Sequence, residues 1–393
     1  MKRDFSKLDR LLEEFASHSV PGCTCTIMQG DKAIYEGAAG YADIASGKIV
    51  NAHSMFRQAS TTKLFTYAIL GMLYEEGRFL FSEPVGKYLP EWSETKKFVV
   101  RPNGEVDTVP TERPLTIQNA VAMMCGMPYC MAPVPNPTTP TLAAMSKRIA
   151  ALLEKGTPTL REEVRAMGDV PVMFEPGSHW EYGFGSEITG ALVETLTGKV
   201  LRENFREKII EPLGLEDTDT FFTPANRDRV VTSYAKTPEG SFVASPDFYD
   251  ATMDPAQTPV GARPNLITSS TDFATFMQML ANGGTYKGER YLSEGTVNML
   301  HENQLSPEVI KDFTNDYLAG YGYGLGFRTL MTQKYGHNGR IGCFGWTGGA
   351  GTWAEADPVD KLSIVYMHNM MPNDELYHHH RVRAAAYGCR LGD

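Results

Sequence analysis

Ser60-Thr61-Thr62-Lys63 sets a hydroxyl and an amine three residues apart at the head of an apolar run, Leu64-Phe65-Thr66-Tyr67-Ala68-Ile69-Leu70-Gly71-Met72-Leu73-Tyr74. Between Thr61 and Tyr74 Lys63 is the one charged side chain, and Leu64, Phe65, Ala68, Ile69, Met72 and Leu73 recur at helical spacing. Gly77 can end the helix. Residues three apart share a helix face, so the hydroxyl and amine can meet. A serine is a weak nucleophile until a neighbouring base takes its proton, and a lysine among apolar side chains is expected to have its pKa lowered toward neutrality and so to supply that base. The free NH groups and positive dipole end of the helix favour an oxyanion, which makes the Ser60 NH a candidate donor. The plain alternative is that Ser60 only caps the helix.

Two further stretches carry reactive or permissive residues. In Phe174-Glu175-Pro176-Gly177-Ser178-His179-Trp180-Glu181-Tyr182-Gly183-Phe184-Gly185, Tyr182 lies in a turn just ahead of a helix expected over Ser186 to Thr197 and ended by Gly198. Its phenol is a second proton carrier if a cation adjoins it, and otherwise an ordinary packed or surface tyrosine. Gly345-Trp346-Thr347-Gly348-Gly349-Ala350-Gly351 is glycine-dense where a strand should begin, which permits backbone to approach a ligand or merely marks a bulge.

These stretches need elements to hold them together. Gly22 to Met28 and Asp31 to Gly40 alternate like strands and join through Gln29-Gly30 as a hairpin. Residues 83–285 read as helices broken by proline-rich loops such as Ala132 to Pro140. Strand signals return in Tyr321 to Leu330, Gly351 to Ala356 and Leu362 to Met367. Strand-forming ends around a helical middle predict an α+β fold, with one sheet domain over 1–82 and 286–393 and a mostly helical inserted domain over 83–285.

The 393 residues, 42% of them hydrophobic, are enough for a large core. A net charge of -10 argues against nucleic acid or an anionic membrane as partner. The opening, Met1 to Arg10, reads as an amphipathic helix without the apolar core of a signal peptide, and no run reaches transmembrane length, so a cytoplasmic location is expected. Cys23, Cys25, Cys125, Cys130, Cys343 and Cys389 match neither a disulfide framework nor a zinc spacing and are expected to be reduced and mainly buried. The triplet His378-His379-His380 has no acidic or cysteine partner at ligand spacing and reads as a solvated polar stretch; no metal or cofactor is assigned.

In this order, Ser60-Thr61-Thr62-Lys63, Tyr182-Gly183-Phe184 and Trp346-Thr347-Gly348 resemble the S-x-x-K, tyrosine and K-T-G elements of the serine beta-lactamase and penicillin-binding-protein superfamily. The chain looks most like class C beta-lactamases and family VIII carboxylesterases. The likeness extends through Pro84 to Trp92, Leu115 to Ile117, Phe174 to Gly177, Ile210 to Thr218, Ser270 to Phe273 and Tyr323 to Phe327. It implies an antiparallel sheet flanked by helices, an inserted helical lobe and a cleft between them. It also implies that Ser60 is acylated, that Lys63 and Tyr182 move its proton, and that the NH groups of Ser60 and Gly349 form the oxyanion hole.

Two departures bear on the substrate. Phe184 stands where the lactamases carry an asparagine that holds the substrate amide, and Trp346 where a lysine or histidine meets its carboxylate. With Thr347 and Gly348 these are the expected substrate-binding residues, the two aromatics forming an apolar wall. Met123-Met124-Cys125-Gly126-Met127-Pro128-Tyr129-Cys130-Met131 adds either a pliable apolar wall or core packing. The expected activity is hydrolysis of short-chain or aryl carboxylic esters, a small-molecule substrate, through an acyl-enzyme without metal or cofactor. Lactam or amide hydrolysis, acyl transfer on the same residues, or a non-catalytic binding protein are the alternatives; the oligomeric state is not legible.

Overall fold

The computed structural model describes residues 4–245, 248–313 and 315–389. Eight antiparallel strands form the central sheet: β1 (Gly22–Gln29), β2 (Lys32–Asp43), β3 (Lys48–Ile49), β4 (Tyr321–Tyr323), β5 (Arg328–Leu330), β6 (Phe344–Gly348), β7 (Thr352–Asp357) and β8 (Leu362–His368). Their order is β4-β5-β6-β7-β8-β1-β2-β3, so the two ends of the chain meet where β8 pairs β1, with Cys23 opposite His368 and Ile27 opposite Ile364.

Alternation along the strands sorts side chains into two cores. Cys23, Cys25, Ile27, Trp353, Ile364 and Tyr366 join Leu8, Leu12 and Phe15 of helix α1 (Ser6–His18) on one face. Ala354, Val365 and Met367 face the other way, into the core shared with the rest of the protein. Coverage on both faces explains why β1 and β8 are buried almost end to end.

On that second face stands α2 (Lys63–Glu75), whose Leu64, Phe65, Ala68, Ile69 and Leu73 are buried. It is entered through a 3-10 turn, Ala59–Thr62, so Ser60 lies inside a tight turn and Lys63 opens the α-helix proper. The helices Pro140–Leu153 (α3), Leu160–Met167 (α4) and Gly185–Thr197 (α5) fill the inserted part, together with a hairpin pairing Lys96–Val100 with Val106–Pro110. Helix α6 (Ser270–Ala281), within the span read as the inserted domain, packs on the sheet, where Ser270 Oγ lies 2.9 Å from Thr26 Oγ1.

Two sequence expectations change. Tyr321 to Leu330 is two strands, because Gly326 at φ +98° turns the chain between them. The glycine-dense stretch holds most of β6 and leads directly into β7, so a strand does begin where it was expected. Helix α7 (Glu375–Gly388) closes over the sheet beside α1, so His378 and His379 are each 1% exposed against Phe15, Tyr366 and Trp353, and are not a solvated stretch. The six cysteines are free and buried. Among the described residues no helix is long and apolar enough to cross a membrane, and no cluster of metal-ligating side chains occurs. Helix α1 begins at Ser6; residues 1–3 of the expected opening helix lie outside the described residues.

Candidate active site

Ala59, immediately before Ser60, has φ +48°, a left-handed conformation that a non-glycine residue holds only when its surroundings enforce it. The enforcement is visible on both sides. Thr61 Oγ1 donates to the Gln58 carbonyl at 2.8 Å, and Thr352 Oγ1 on β7 donates to the same carbonyl at 3.0 Å. Gly348, at the end of β6, lies so close that a Cβ there would sit 2.2 Å from Gln58 O. The strand end and the serine turn are thus packed backbone to backbone, and Gly349 follows in an exposed turn beside them. On the far side Leu266 N donates to Thr62 Oγ1 at 3.1 Å.

Lys63 Nζ donates to Ser60 Oγ at 3.2 Å and to the Tyr129 hydroxyl at 2.9 Å. It lies 5.2 Å and 5.4 Å from the ring centres of Tyr129 and Tyr182, which stack on each other at 5.7 Å. Tyr182 Oη accepts a hydrogen bond from Trp346 Nε1 at 3.1 Å. Two loops carry the tyrosines, tied by a bridge between Pro128 and Gly183 and by Phe184 N donating to Met127 O at 2.9 Å.

The charge of Lys63 differs from the expectation. Burial pulls its pKa down, but the hydroxyl oxygens of Tyr129 and Tyr182 and the Glu187 carboxylate outweigh this and hold it well above an ordinary lysine. Lys63 is therefore an ammonium at rest. Burial pushes the Tyr129 phenol up, against the opposing pull of Lys63.

The turn, the Ser-Lys pair and the tyrosines lie between a two-ended antiparallel sheet and a helical insert, and the comparisons with known proteins agree with this. The beta-lactamase family model matches residues 8–387. The chain belongs to the beta-lactamase family. An Escherichia coli (strain K12) protein provisionally named a D-alanyl-D-alanine carboxypeptidase is 24% identical over 394 residues, covering 93% of this chain and 82% of that one. Among solved structures, EstCE1, a hydrolase with promiscuous acyltransferase activity, superposes with TM-score 0.78 at 20% identity, covering 98% of each chain. A family VIII carboxylesterase superposes with TM-score 0.69 at 18% identity, covering 98% of this chain and 97% of its own. The fold is that of the serine beta-lactamase and penicillin-binding-protein superfamily.

Within this beta-lactamase fold, Ser60, Lys63, Tyr182 and Trp346 form one connected cluster. Phe184 and Trp346 do not form an open wall: they are 2% and 3% exposed, packed into the core, and the Trp346 indole is engaged with Tyr182. Thr347 Oγ1 donates to Thr352 O at 3.1 Å and accepts from Asn373 Nδ2 at 3.2 Å, and Gly348 O accepts from the same amide at 3.0 Å. Tyr129 was missed as a polar group. Its surroundings, Met127-Pro128 before it and Cys130-Met131 after it, read as packing; a phenol in so apolar a run was the available signal.

Proposed function

We propose that the protein is a serine hydrolase that cleaves carboxylic esters through an acyl-enzyme on Ser60. The observation that carries this reading is the pair of hydrogen bonds from Lys63 Nζ, to Ser60 Oγ at 3.2 Å and to Tyr129 Oη at 2.9 Å, at a strained turn. In the working cycle Lys63 first gives up its extra proton to solvent, then takes the Ser60 proton as Oγ attacks the ester carbonyl. The NH groups of Ser60 and Gly349 hold the resulting oxyanion. Tyr182, whose oxygen already accepts from Trp346, keeps its own hydroxyl proton free to pass to the departing oxygen. Water then takes the alcohol's place and the same groups return Ser60 to its free state.

Esters are favoured over lactams by what the site lacks. A lactam antibiotic brings an amide and a carboxylate, and Phe184 and Trp346, buried at the positions where the lactamases carry polar anchors, offer neither group a partner. Each unpaired group costs about 1 to 3 kcal/mol, roughly 5-fold to 150-fold in rate. An ester carries neither. The test compares kcat/KM for nitrophenyl butyrate and nitrocefin on one preparation, with fluorophosphonate labelling of wild type and Ser60→Ala. Equal turnover of nitrocefin and ester makes the protein a lactamase, and a wild type that neither labels nor turns over either compound makes it a binding protein.

A further inference from the structure

The carbonyl of Gly348 and the NH of Gly349 belong to one peptide unit, and a planar trans peptide points the two in opposite directions. Whatever holds the carbonyl therefore aims the NH. Gly348 O, at the end of β6, accepts from Gly351 N at 3.1 Å, which closes the turn, and from Asn373 Nδ2 at 3.0 Å. Gly349 N donates to no group among the described residues. The residues on both sides of this peptide are glycines and the space beside Gly349 is open, so no side chain resists a rotation of the plane, and its orientation depends on the bonds at its carbonyl.

Asn373 is itself fixed from two sides. Met370 N donates to His368 Nδ1 at 3.2 Å, which leaves the ring proton on Nε2, 3.1 Å from Asn373 Oδ1. His368 is fully buried at the end of β8, and burial pulls its pKa down to about 3, so the ring stays neutral and keeps that single NH. On the other side Thr347 Oγ1 gives its proton to Thr352 O and can only accept from Asn373, as it does from Nδ2 at 3.2 Å. Both neighbours thus demand the same amide orientation, with Oδ1 toward His368 and Nδ2 toward Gly348 O. The imidazole also lies against the turn, where a Cβ on Gly351 would sit 2.6 Å from His368 Nδ1. We propose that Asn373, oriented by His368, is a positioning residue for the oxyanion hole, holding the Gly348 carbonyl so that the Gly349 NH faces the substrate oxygen. A donor on the carbonyl also polarises the peptide and strengthens its NH. This rests on the ester-hydrolase reading, in which Gly349 supplies that NH.

The experiment measures kcat and KM for nitrophenyl butyrate and its thiono analogue, with sulfur in place of the carbonyl oxygen, in wild type, Asn373→Ala and Asn373→Asp, each corrected for background. Asn373 is only partly buried, in the loop between β8 and α7, and Asn373→Asp keeps its size and the bond from His368 Nε2 while setting an oxygen against Gly348 O. NH donors favour an oxyanion over the larger, weakly accepting sulfur, so wild type should prefer the oxo ester. Losing one oxyanion donor outright costs about 100-fold to 1000-fold; freeing the peptide that carries it should lower kcat on the oxo ester by about 10-fold to 100-fold in both variants, with KM unchanged within about threefold and the oxo preference reduced by the same factor as kcat. A loss that lowers oxo and thiono rates alike, or a rise in KM alone, which would make Asn373 a substrate contact, overturns the proposal. A wild type without oxo preference overturns it before any variant is made. Absence of turnover on the oxo ester in wild type removes the ester-hydrolase reading and this proposal with it, whereas wild-type kcat in either variant removes this proposal alone.

Discussion

Replacing Tyr129 with phenylalanine deletes the hydroxyl that accepts from Lys63 Nζ at 2.9 Å while keeping the ring that stacks on Tyr182 at 5.7 Å. A hydrogen bond from a charged donor contributes about 1.5 to 3 kcal/mol, and about 1.4 kcal/mol corresponds to one pKa unit, so Lys63 should lose its proton roughly one to two pH units lower in the variant. At pH 8 this enlarges the neutral fraction about 10-fold to 100-fold. The amine is also a weaker base by the same one to two units; with about half of that felt in the transition state, a net gain of roughly threefold to tenfold in kcat/KM remains. The sign follows from the raised pKa: the active, neutral form grows as pH rises, so wild-type kcat/KM should climb about tenfold per pH unit through the neutral range. The assay is nitrophenyl butyrate hydrolysis from pH 6 to 9.5, read at a wavelength where nitrophenol and its anion absorb equally and corrected for background. A wild-type plateau by pH 7 would show a lysine neutral at rest. An unshifted limb in Tyr129→Phe would refute Lys63 as the titrating base, and an inactive Tyr129→Phe would make Tyr129 itself the carrier.

Ser60→Ala should abolish hydrolysis while leaving the melting temperature within a few degrees of wild type; retention of more than a few percent of the rate sinks the nucleophile assignment. Trp346→Phe removes the donor to Tyr182 Oη, and a loss of about 10-fold or more in kcat with little change in KM is expected, since the bond positions a proton donor and not the substrate. A KM effect alone would return Trp346 to the role of a wall. His378 is buried and its pKa is pulled down to about 4, so it is neutral in the fold and charges on unfolding. Its contribution to stability is therefore present above about pH 6.5 and lost as pH falls toward 4, by at most about 3 kcal/mol. Denaturant unfolding at pH 7 and pH 4.5 should show a smaller difference in His378→Phe than in wild type, and an equal difference would remove His378 as a cause.

The Ser60-Lys63 pairing was legible because it is local. Ser60 and Lys63 lie one helical turn apart, and the apolar run behind them dictates a buried helix whatever else the chain does. The hairpin of β1 and β2 was legible for the same reason, its alternation being contained in one stretch, although the turn falls at Gly30-Asp31, one residue later than read. The charge on Lys63 was not, because it depends on Tyr129, some seventy residues away, and on Glu187, beyond a hundred, neither of which any local pattern places beside the amine. His378 and His379 were misplaced for the corresponding reason: their exposure depends on where α1 and the sheet lie, and nothing within Glu375 to Gly388 says which face of that helix is covered. The division is physical. On the proposed reading the S-x-x-K turn supplies the attacking hydroxyl, and groups such as Tyr129 and Tyr182, which only the fold brings to it, set when it attacks. Sequences sharing that turn can therefore differ in rate, pH range and substrate while the nucleophile stays the same.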